Sequence, residues 1–458
     1  MASTSARTIG QKDHGDYISL LPDCLIHHIF SFLPTRDVVK TCVLSKRWQS
    51  IWTTISNLKF SVSSYDDSFV NRVLTLYMWP KVEKFHLDIR SKYFYPFKID
   101  LWVHFAIDHD VEELLLNLNW WAYYTLSPLL YNCSSLTKLC LTGCHFSSSQ
   151  RISWSSLKSL SIQNMKVSDD VLQQIFMGSP AIEYLNLKRC WGVERICSRS
   201  LKELVLDDVN VEFPLETFSP PLEIWTPRLL SLRVRGYIYE IIRILEASSL
   251  VEAELDFDSA ELDCSFLKES LGKLQNATRI QLGAWCIWVM GLLKVEDVQF
   301  SLSNCKSLTL HMTIPQFSFP AIANMLATSP NLEKLDVFDR DYRNVDHQSS
   351  WHIKKFQSWA QHLQNFEIFG FYACLRFKYE EVLMLVKYLL GHASVLENMV
   401  INITSCKLLE VARLIQSYDR ASEHAAVILN CLEDGLGKQR HEGGRVTTKC
   451  LCIDNKYA

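Results

Sequence analysis

The sequence predicts an α/β chain in which a short three-helix module leads into an irregular solenoid of parallel strands, closed by a strand–helix–strand unit. Three observations predict this. Apolar stripes at helical spacing run from Leu21 to Trp52, broken at Pro34 and Ser45. From Val82 onward one frame, apolar-x-x-apolar-x-apolar, returns about a dozen times. Near the C-terminus two alternating apolar runs, starting at Leu363 and Ala393, flank a helical stretch around Val386–Leu390.

Pro22 suits a first helical turn, where its missing N–H would be unpaired anyway, and Asp23 complements the positive helix start. Leu25, Ile26, Ile29, Phe30 and Leu33 form the first apolar stripe. Pro34 stops that helix and Thr35 is placed to cap a second, which carries Val38, Val39, Cys42 and Val43. Ser45 is placed to cap a third with Trp48, Ile51 and Trp52. Three helices this short make a marginal core, so leftover apolar surface is expected to meet a partner.

The frame is clearest at Val82-Glu-Lys-Phe-His-Leu87, Val111-Glu-Glu-Leu-Leu-Leu116, Leu136-Thr-Lys-Leu-Cys-Leu141, Leu157-Lys-Ser-Leu-Ser-Ile162, Ile182-Glu-Tyr-Leu-Asn-Leu187 and Leu201-Lys-Glu-Leu-Val-Leu206. Weaker copies start at Leu229, Leu250, Ala277, Cys305, Leu332, Leu363 and Leu396, and successive starts lie 19 to 33 residues apart. Each frame alternates with period two, so it predicts a strand with one buried face. Stacked one per repeat, such strands make a curved parallel sheet, as in leucine-rich repeats. Asp169–Phe176 and Pro320–Leu326 read as helical returns, ended by Ser179-Pro180 and Ser329-Pro330.

Composition narrows the function. A net charge of −3 argues against a nucleic-acid or anionic-membrane partner. The longest apolar run, near Cys286–Leu293, is too short to span a bilayer, and the first residues lack the apolar core of a signal peptide. The 15 cysteines include no Cys-x-x-Cys pair, and Cys140, Cys190 and Cys305 fall at or beside apolar positions. That pattern predicts free thiols in the cytoplasm or nucleus, with no metal. Cys450-Leu-Cys452 and His27-His28 carry too few ligands for zinc. Asp108-His109-Asp110 lacks a nucleophile, and no Gly-rich phosphate loop is present, so no catalytic residue and no cofactor is expected.

The motifs Leu21-Pro22-Asp23, Ser31-Phe-Leu-Pro-Thr-Arg-Asp-Val-Val39 and Val43-Leu-Ser-Lys-Arg-Trp48 resemble, in order and spacing, a plant-type F-box. Leu363–Phe371, Val386–Leu390, Ala393–Ile401, Arg420-Ala-Ser422 and Ala425–Leu429 are similar to the FBD region of plant F-box/leucine-rich-repeat proteins. Tyr372 departs from the glycine that family often carries after Gly370-Phe371. The resemblance implies a flexible start at 1–15, an F-box at 16–60, a leucine-rich-repeat solenoid at 80–345 and an FBD cap at 346–430. The Gly- and charge-rich tail at 431–458 is expected to be disordered.

The resemblance implies a non-catalytic substrate receptor of an SCF-type ubiquitin ligase. The F-box would bind a Skp-type adaptor, and through it a cullin and a RING subunit. By family motif the adaptor contact falls on Leu21, Pro22, Leu25, Ile29, Leu33, Val39, Val43, Leu44 and Trp48, some of which must serve the core instead. The frames themselves point the x residues of each strand outward, to a target protein. Tyr184, Lys188, Arg233, Arg235, Glu252, Glu254 and Asp256 are the candidate target contacts, with Arg233 and Arg235 as a basic pair beside an acidic cluster. Two rival functions fit the same chain: a hormone-type receptor in which a small molecule joins target to repeat, and an adaptor-binding scaffold outside any ligase.

Overall fold

In every frame the first, fourth and sixth residues turn inward. From Ile55, Leu58 and Phe60 to Leu396, Met399 and Ile401, none is more than 4% exposed. Burying each such side chain contributes about 1.5–3 kcal/mol, so within each unit the three columns form a continuous core. The computed structural model describes residues 20–62, 67–90, 96–118, 124–147, 149–210, 221–238, 242–259, 264–292, 300–312, 318–339, 360–371, 376–403, 408–431 and 449–453. The expected flexible start at 1–15, Tyr372 and most of the 431–458 tail lie outside the described residues. The chain divides into two units, Met1–Leu157 and Lys158–Ala458. The division falls inside the expected repeat region rather than at the edge of the helical module.

In the first unit, helices α1 (Asp23–Ser31), α2 (Thr35–Lys40) and α3 (Trp48–Ile51) lead into strand β1 (Asn57–Val62). Then follow α4 (Asp67–Leu76), β2 (Lys84–Ile89), α5 (Pro96–Asp108), β3 (Glu113–Leu118), β4 (Tyr124–Thr125), β5 (Lys138–Thr142) and β6 (Cys144–His145). β1, β2, β3 and β5 pair in parallel, with Leu58, Phe85, Leu114 and Leu139 in register. The repeat therefore begins at Ile55-Ser-Asn-Leu-Lys-Phe60, a frame inside the segment assigned to the helical module. Thr35 does not cap a helix through its side chain; it is buried, and its hydroxyl accepts the Lys59 N–H at 2.7 Å, tying module to first strand. The Tyr77 hydroxyl braces the first repeat, within reach of the carbonyls of Ile55 (2.8 Å) and Lys81 (3.0 Å).

In the second unit the strands are β7 (Ser159–Gln163), β8 (Tyr184–Lys188), β9 (Arg195–Cys197), β10 (Glu203–Asp207), β11 (Leu222–Trp225), β12 (Ser231–Ile238), β13 (Ile242–Glu246) and β14 (Glu252–Ser259). They continue as β15 (Arg279–Leu282), β16 (Ser307–Met312), β17 (Lys334–Asp339), β18 (Asn365–Phe371), β19 (Asn398–Ile403), β20 (Ala426–Cys431) and β21 (Lys449–Ile453). Helix α6 (Asp169–Gly178) precedes β8, α7 (Cys264–Lys273) precedes β15, and α8 (Ala284–Leu292) follows it. Helices α9 (Ser318–Thr328), α10 (Arg376–His392) and α11 (Leu408–Gln416) precede β17, β19 and β20. The main sheet runs β7-β8-β10-β12-β14-β15-β16-β17-β18-β19-β20-β21, parallel throughout except for β21.

Among the described residues of the second unit, three returns are strands rather than helices. β9, β11 and β13 form a separate parallel sheet whose Ile196, Ile224 and Ile244 are buried. Their period-two alternation, as in Arg195-Ile-Cys197, is the signal that distinguishes them from helical returns. The expected disorder of the tail also needs correction. Lys449–Ile453 adds antiparallel to β20, covering a sheet edge that would otherwise expose unpaired backbone groups. Cys133, Cys144, Cys190, Cys286 and Cys305 are buried free thiols, and burial pushes the Cys305 thiol up to about 12. Cys140, by contrast, is half-exposed, on the outward face of β5. Among the described residues no helix is long and apolar enough to cross a membrane.

Successive rungs are locked by one recurring bond. The carbonyl of the second frame residue accepts two N–H groups of the next frame: Glu83 from Glu112 (3.2 Å) and Glu113 (2.8 Å), Glu112 from Thr137 (2.8 Å) and Lys138 (3.1 Å). Lys158, Glu183, Lys202, Leu230, Val251, Thr278, Lys306, Glu333 and Gln364 repeat it through the second unit. Inward and outward positions should therefore differ sharply in cost. We expect Leu185→Ala to lose about 2–5 kcal/mol of unfolding free energy in urea, and the adjacent outward Asn186→Ala less than about 1 kcal/mol.

Candidate interaction surfaces

The apolar stripe of α1 resolves into two faces. Ile26 and Phe30 point into the core, where the Phe30 ring meets Trp48 edge-on at 5.4 Å between centroids. Leu25, Ile29 and Phe32 point to solvent, joined by Leu20, Val43 and Leu44; Phe32 is 75% and Val43 83% exposed. Leu21, Leu33 and Val39 are half-buried and Pro22 is exposed. Trp48 is 4% exposed, its indole N–H without an acceptor among the described residues, so it serves the module's core. An Asp23–Arg47 ion pair clasps the start of α1 to the turn before α3. Six exposed large apolar side chains on so short a module are an apolar patch of the kind that marks a protein interface. The motif comparison missed Phe32, although it lies seven residues after Leu25, on the same helical face.

The other surface is the outward face of the main sheet in the second unit. Strand register arranges its side chains in rows. One row reads Gln163, Lys188, Asp207, Arg235 and Asp256; the next reads Ser161, Asn186, Val205, Arg233 and Glu254. Most charges are neutralised within the face. Lys188 pairs with Asp207 at 2.7 Å, and Arg279 with Glu252. Arg235 clasps Glu254 with Nε and Nη2 both at 2.6 Å, and Gln281 Nε2 donates to the same carboxylate at 3.0 Å. That bond holds the Arg235 guanidinium above its usual range.

The basic pair is therefore two different residues. Arg235 is a structural partner of Glu254, which is buried, whereas Arg233 has no ion pair among the described residues. Arg233, Arg235, Glu252, Glu254, Arg279 and Gln281 share a shallow depression of about 320 Å³. Tyr184 and Glu252 line a neighbouring one of about 470 Å³. Asp256 reaches past Gly283, where a Cβ would collide with it, to His311, with Nδ1 3.7 Å from its carboxylate. The structure thus brings Arg233, Arg235, Glu252 and Glu254 together, sets Lys188 against Asp207, and turns Asp256 toward His311.

Residues singled out for chemistry have structural explanations. Asp108-His109-Asp110 ends α5: the His109 ring stacks on Phe105 at 4.0 Å and binds its carbonyl through Nδ1 at 2.7 Å, and Asp110 takes a left-handed φ of 50°. His27 meets Thr54 Oγ1 at 3.3 Å, and His28 lies edge-on to Phe32. Among the described residues no group of three His, Cys, Asp or Glu side chains is placed to hold a metal ion.

Residues 18–60 match the F-box domain family, and 99–226 match "FBD-associated F-box protein At5g56370, LRR repeats". Across 344 residues the chain is 30% identical to the Arabidopsis thaliana F-box/LRR-repeat protein At5g02910, covering 71% of this chain and 72% of that one. F-box/LRR-repeat protein At3g03360 of the same plant is 30% identical over 73% of each chain. This chain belongs to the F-box/LRR-repeat family. Arabidopsis F-box protein At5g03100 is similar as well, 31% identical over 62% of this chain and 94% of its own. The F-box match spans α1 to α3 and reaches into β1.

The two arginines of the LRR face are separable by stability. We expect Arg235→Ala to cost about 1–3 kcal/mol in thermal unfolding, because it leaves the buried Glu254 carboxylate short of its charged donors. Arg233→Ala should change stability by less than about 0.5 kcal/mol. Exchanging both arginines for glutamate would confound folding with recognition, so Arg233 alone is the informative position.

Proposed function

We propose that this F-box/LRR protein is the substrate-recognition subunit of an SCF-type ubiquitin ligase. The observation that carries the reading is the ridge of Leu25, Ile29, Phe32, Val43 and Leu44, left exposed on a module whose core is otherwise closed. A Skp-type adaptor is the partner the F-box implies, and it would link the chain to a cullin and a RING subunit. Pro22, Leu21, Leu33 and Val39 border the ridge, while Trp48 supports it from within. The outward face of the LRR sheet holds the target, with Arg233 as its uncommitted cation. The chain's contribution is proximity: a held target lysine attacks the E2 thioester as an effectively intramolecular nucleophile.

Because the ridge is exposed, its residues can be changed without unfolding the module. Leu25→Ala with Val43→Ala should weaken adaptor binding by about 10- to 100-fold in calorimetry, at unchanged melting temperature. Adaptor affinity within about twofold of the parent protein would remove the ridge from the interface. Reconstitution with adaptor, cullin, RING subunit and E2 tests the ligase role. Transfer of ubiquitin to a bound target that stops with the double variant supports it, and adaptor binding with no transfer points to a scaffold.

A further inference from the structure

Outward residues on β16 to β18 differ in kind from those on β8 to β15. Asp336 of β17 and Glu367 of β18 are register partners, so two carboxylates stand in one row on strands about 4.8 Å apart. Like charges placed so are destabilising. Asp336 is 8% exposed; Lys334 Nζ binds its Oδ2 at 2.7 Å, while its Oδ1 is buried without a hydrogen-bond partner. The donor to Glu367 is a neutral amide, Asn402 Nδ2, at 3.0 Å. Among the described residues, two negative charges thus share one cation, and one carboxylate oxygen is desolvated and unmatched.

The row beside them is aromatic. His311, Phe338 and Phe369 are register neighbours on β16, β17 and β18. The two phenyl rings stack at 4.3 Å with planes 3° apart, and His311 tilts against Phe338 at 4.9 Å. Phe338 and Phe369 are half-buried, so part of the stacked pair is open to solvent in the row next to the acidic one. A lysine or arginine side chain matches both parts: its methylene stem covers apolar surface while its charged head meets carboxylates.

We propose that this patch receives a basic side chain of the target segment, its charge between Asp336 and Glu367 and its stem along Phe338 and Phe369. This rests on reading the LRR face as the target surface, and it names the chemistry that face selects. A protein cation is favoured over a metal ion because the third acidic or histidine ligand a metal would need is not placed there among the described residues.

The test uses the full chain bound to its adaptor and arrays of random nonapeptides whose central residue is fixed as Arg, Lys, Gln or Glu. Arg- and Lys-centred peptides should be retained about tenfold over Gln-centred ones. Glu367→Gln should bring that ratio close to one, while Arg233→Gln leaves it unchanged. Because Gln keeps an oxygen for Asn402 and relieves the repulsion on Asp336, Glu367→Gln should melt no lower than the parent protein. Retention without preference for a basic centre overturns the proposal and leaves the target surface standing, as does a preference that survives Glu367→Gln. Failure to retain any peptide overturns both for linear segments. A melting temperature lowered by more than about 3 °C in Glu367→Gln makes the carboxylate structural. Millimolar calcium or magnesium that raises the parent's melting temperature but not the variant's would assign the patch to an inorganic cation instead.

Discussion

The bond on which the rest of this chain depends is the doubly accepting carbonyl at the second frame position. It fixes each strand to the next at the point where the strand begins, so register is set before any side chain is considered. Once register is set, the first, fourth and sixth residues have no alternative to the interior, because a slip of one residue would turn the whole apolar set to solvent. That explains why short or unusual residues are tolerated in the columns. Ala277 and Cys305 occupy the first position, and Ala253 the fourth, with no break in the parallel pairing around them. The backbone carries the ladder, and the side chains need only be apolar.

The same constraint produces the chemistry of the open face. Parallel sheets usually have both faces covered; here one is left to solvent, and its side chains repeat at rung spacing. At that spacing neighbouring charges cannot ignore one another. From β8 to β15 the result is an interlocked set of opposite charges, Lys188 with Asp207, Arg235 with Glu254, Arg279 with Glu252. The more exposed of these, Lys188–Asp207 and Arg279–Glu252, contribute little to stability, unlike the pair that holds the buried Glu254. Their effect is on availability, since a neutralised arginine is a poor anchor for a partner. What can bind is what the face leaves unmatched.

The inward pattern was legible in the sequence because it depends on hydropathy alone, and the parallel order of strands follows from it. The frame at Ile55-Ser-Asn-Leu-Lys-Phe60 was hidden by its position: it overlaps the end of the F-box, where helical spacing and strand spacing share residues. The strand returns at Arg195, Leu222 and Ile242 were hidden by the expectation that a return is a helix. Distinguishing Arg233 from Arg235 needed side-chain geometry: both alternate outward on one strand and register sets Arg233 opposite Glu254, yet Arg235 is the one that bonds it. Trp48 belongs to the F-box motif, yet its indole packs against Phe30, and a motif does not separate residues that touch a partner from those that shape the surface. Asp336 was invisible for a similar reason: an outward acidic residue reads as solvated until its neighbours on both sides are known.

The absence of a spacer between F-box and repeat has a mechanical consequence within the first unit. The frame starts at Ile55, directly after the 3₁₀ turn Trp52–Thr54 that extends α3, and Thr35 bonds across the junction. A flexible linker would spread the adaptor-bound module over many orientations and dilute the effective concentration it provides. Here the buried Trp48, Ile51, Trp52 and Ile55 run from the F-box into the first column of the ladder as one core. The apolar ridge on α1 is therefore held at a fixed angle to β1, so tilting that ridge requires disrupting the first rung. For a protein whose effect would come from placing one molecule near another, that rigidity is worth more than the small stability of the F-box helices themselves.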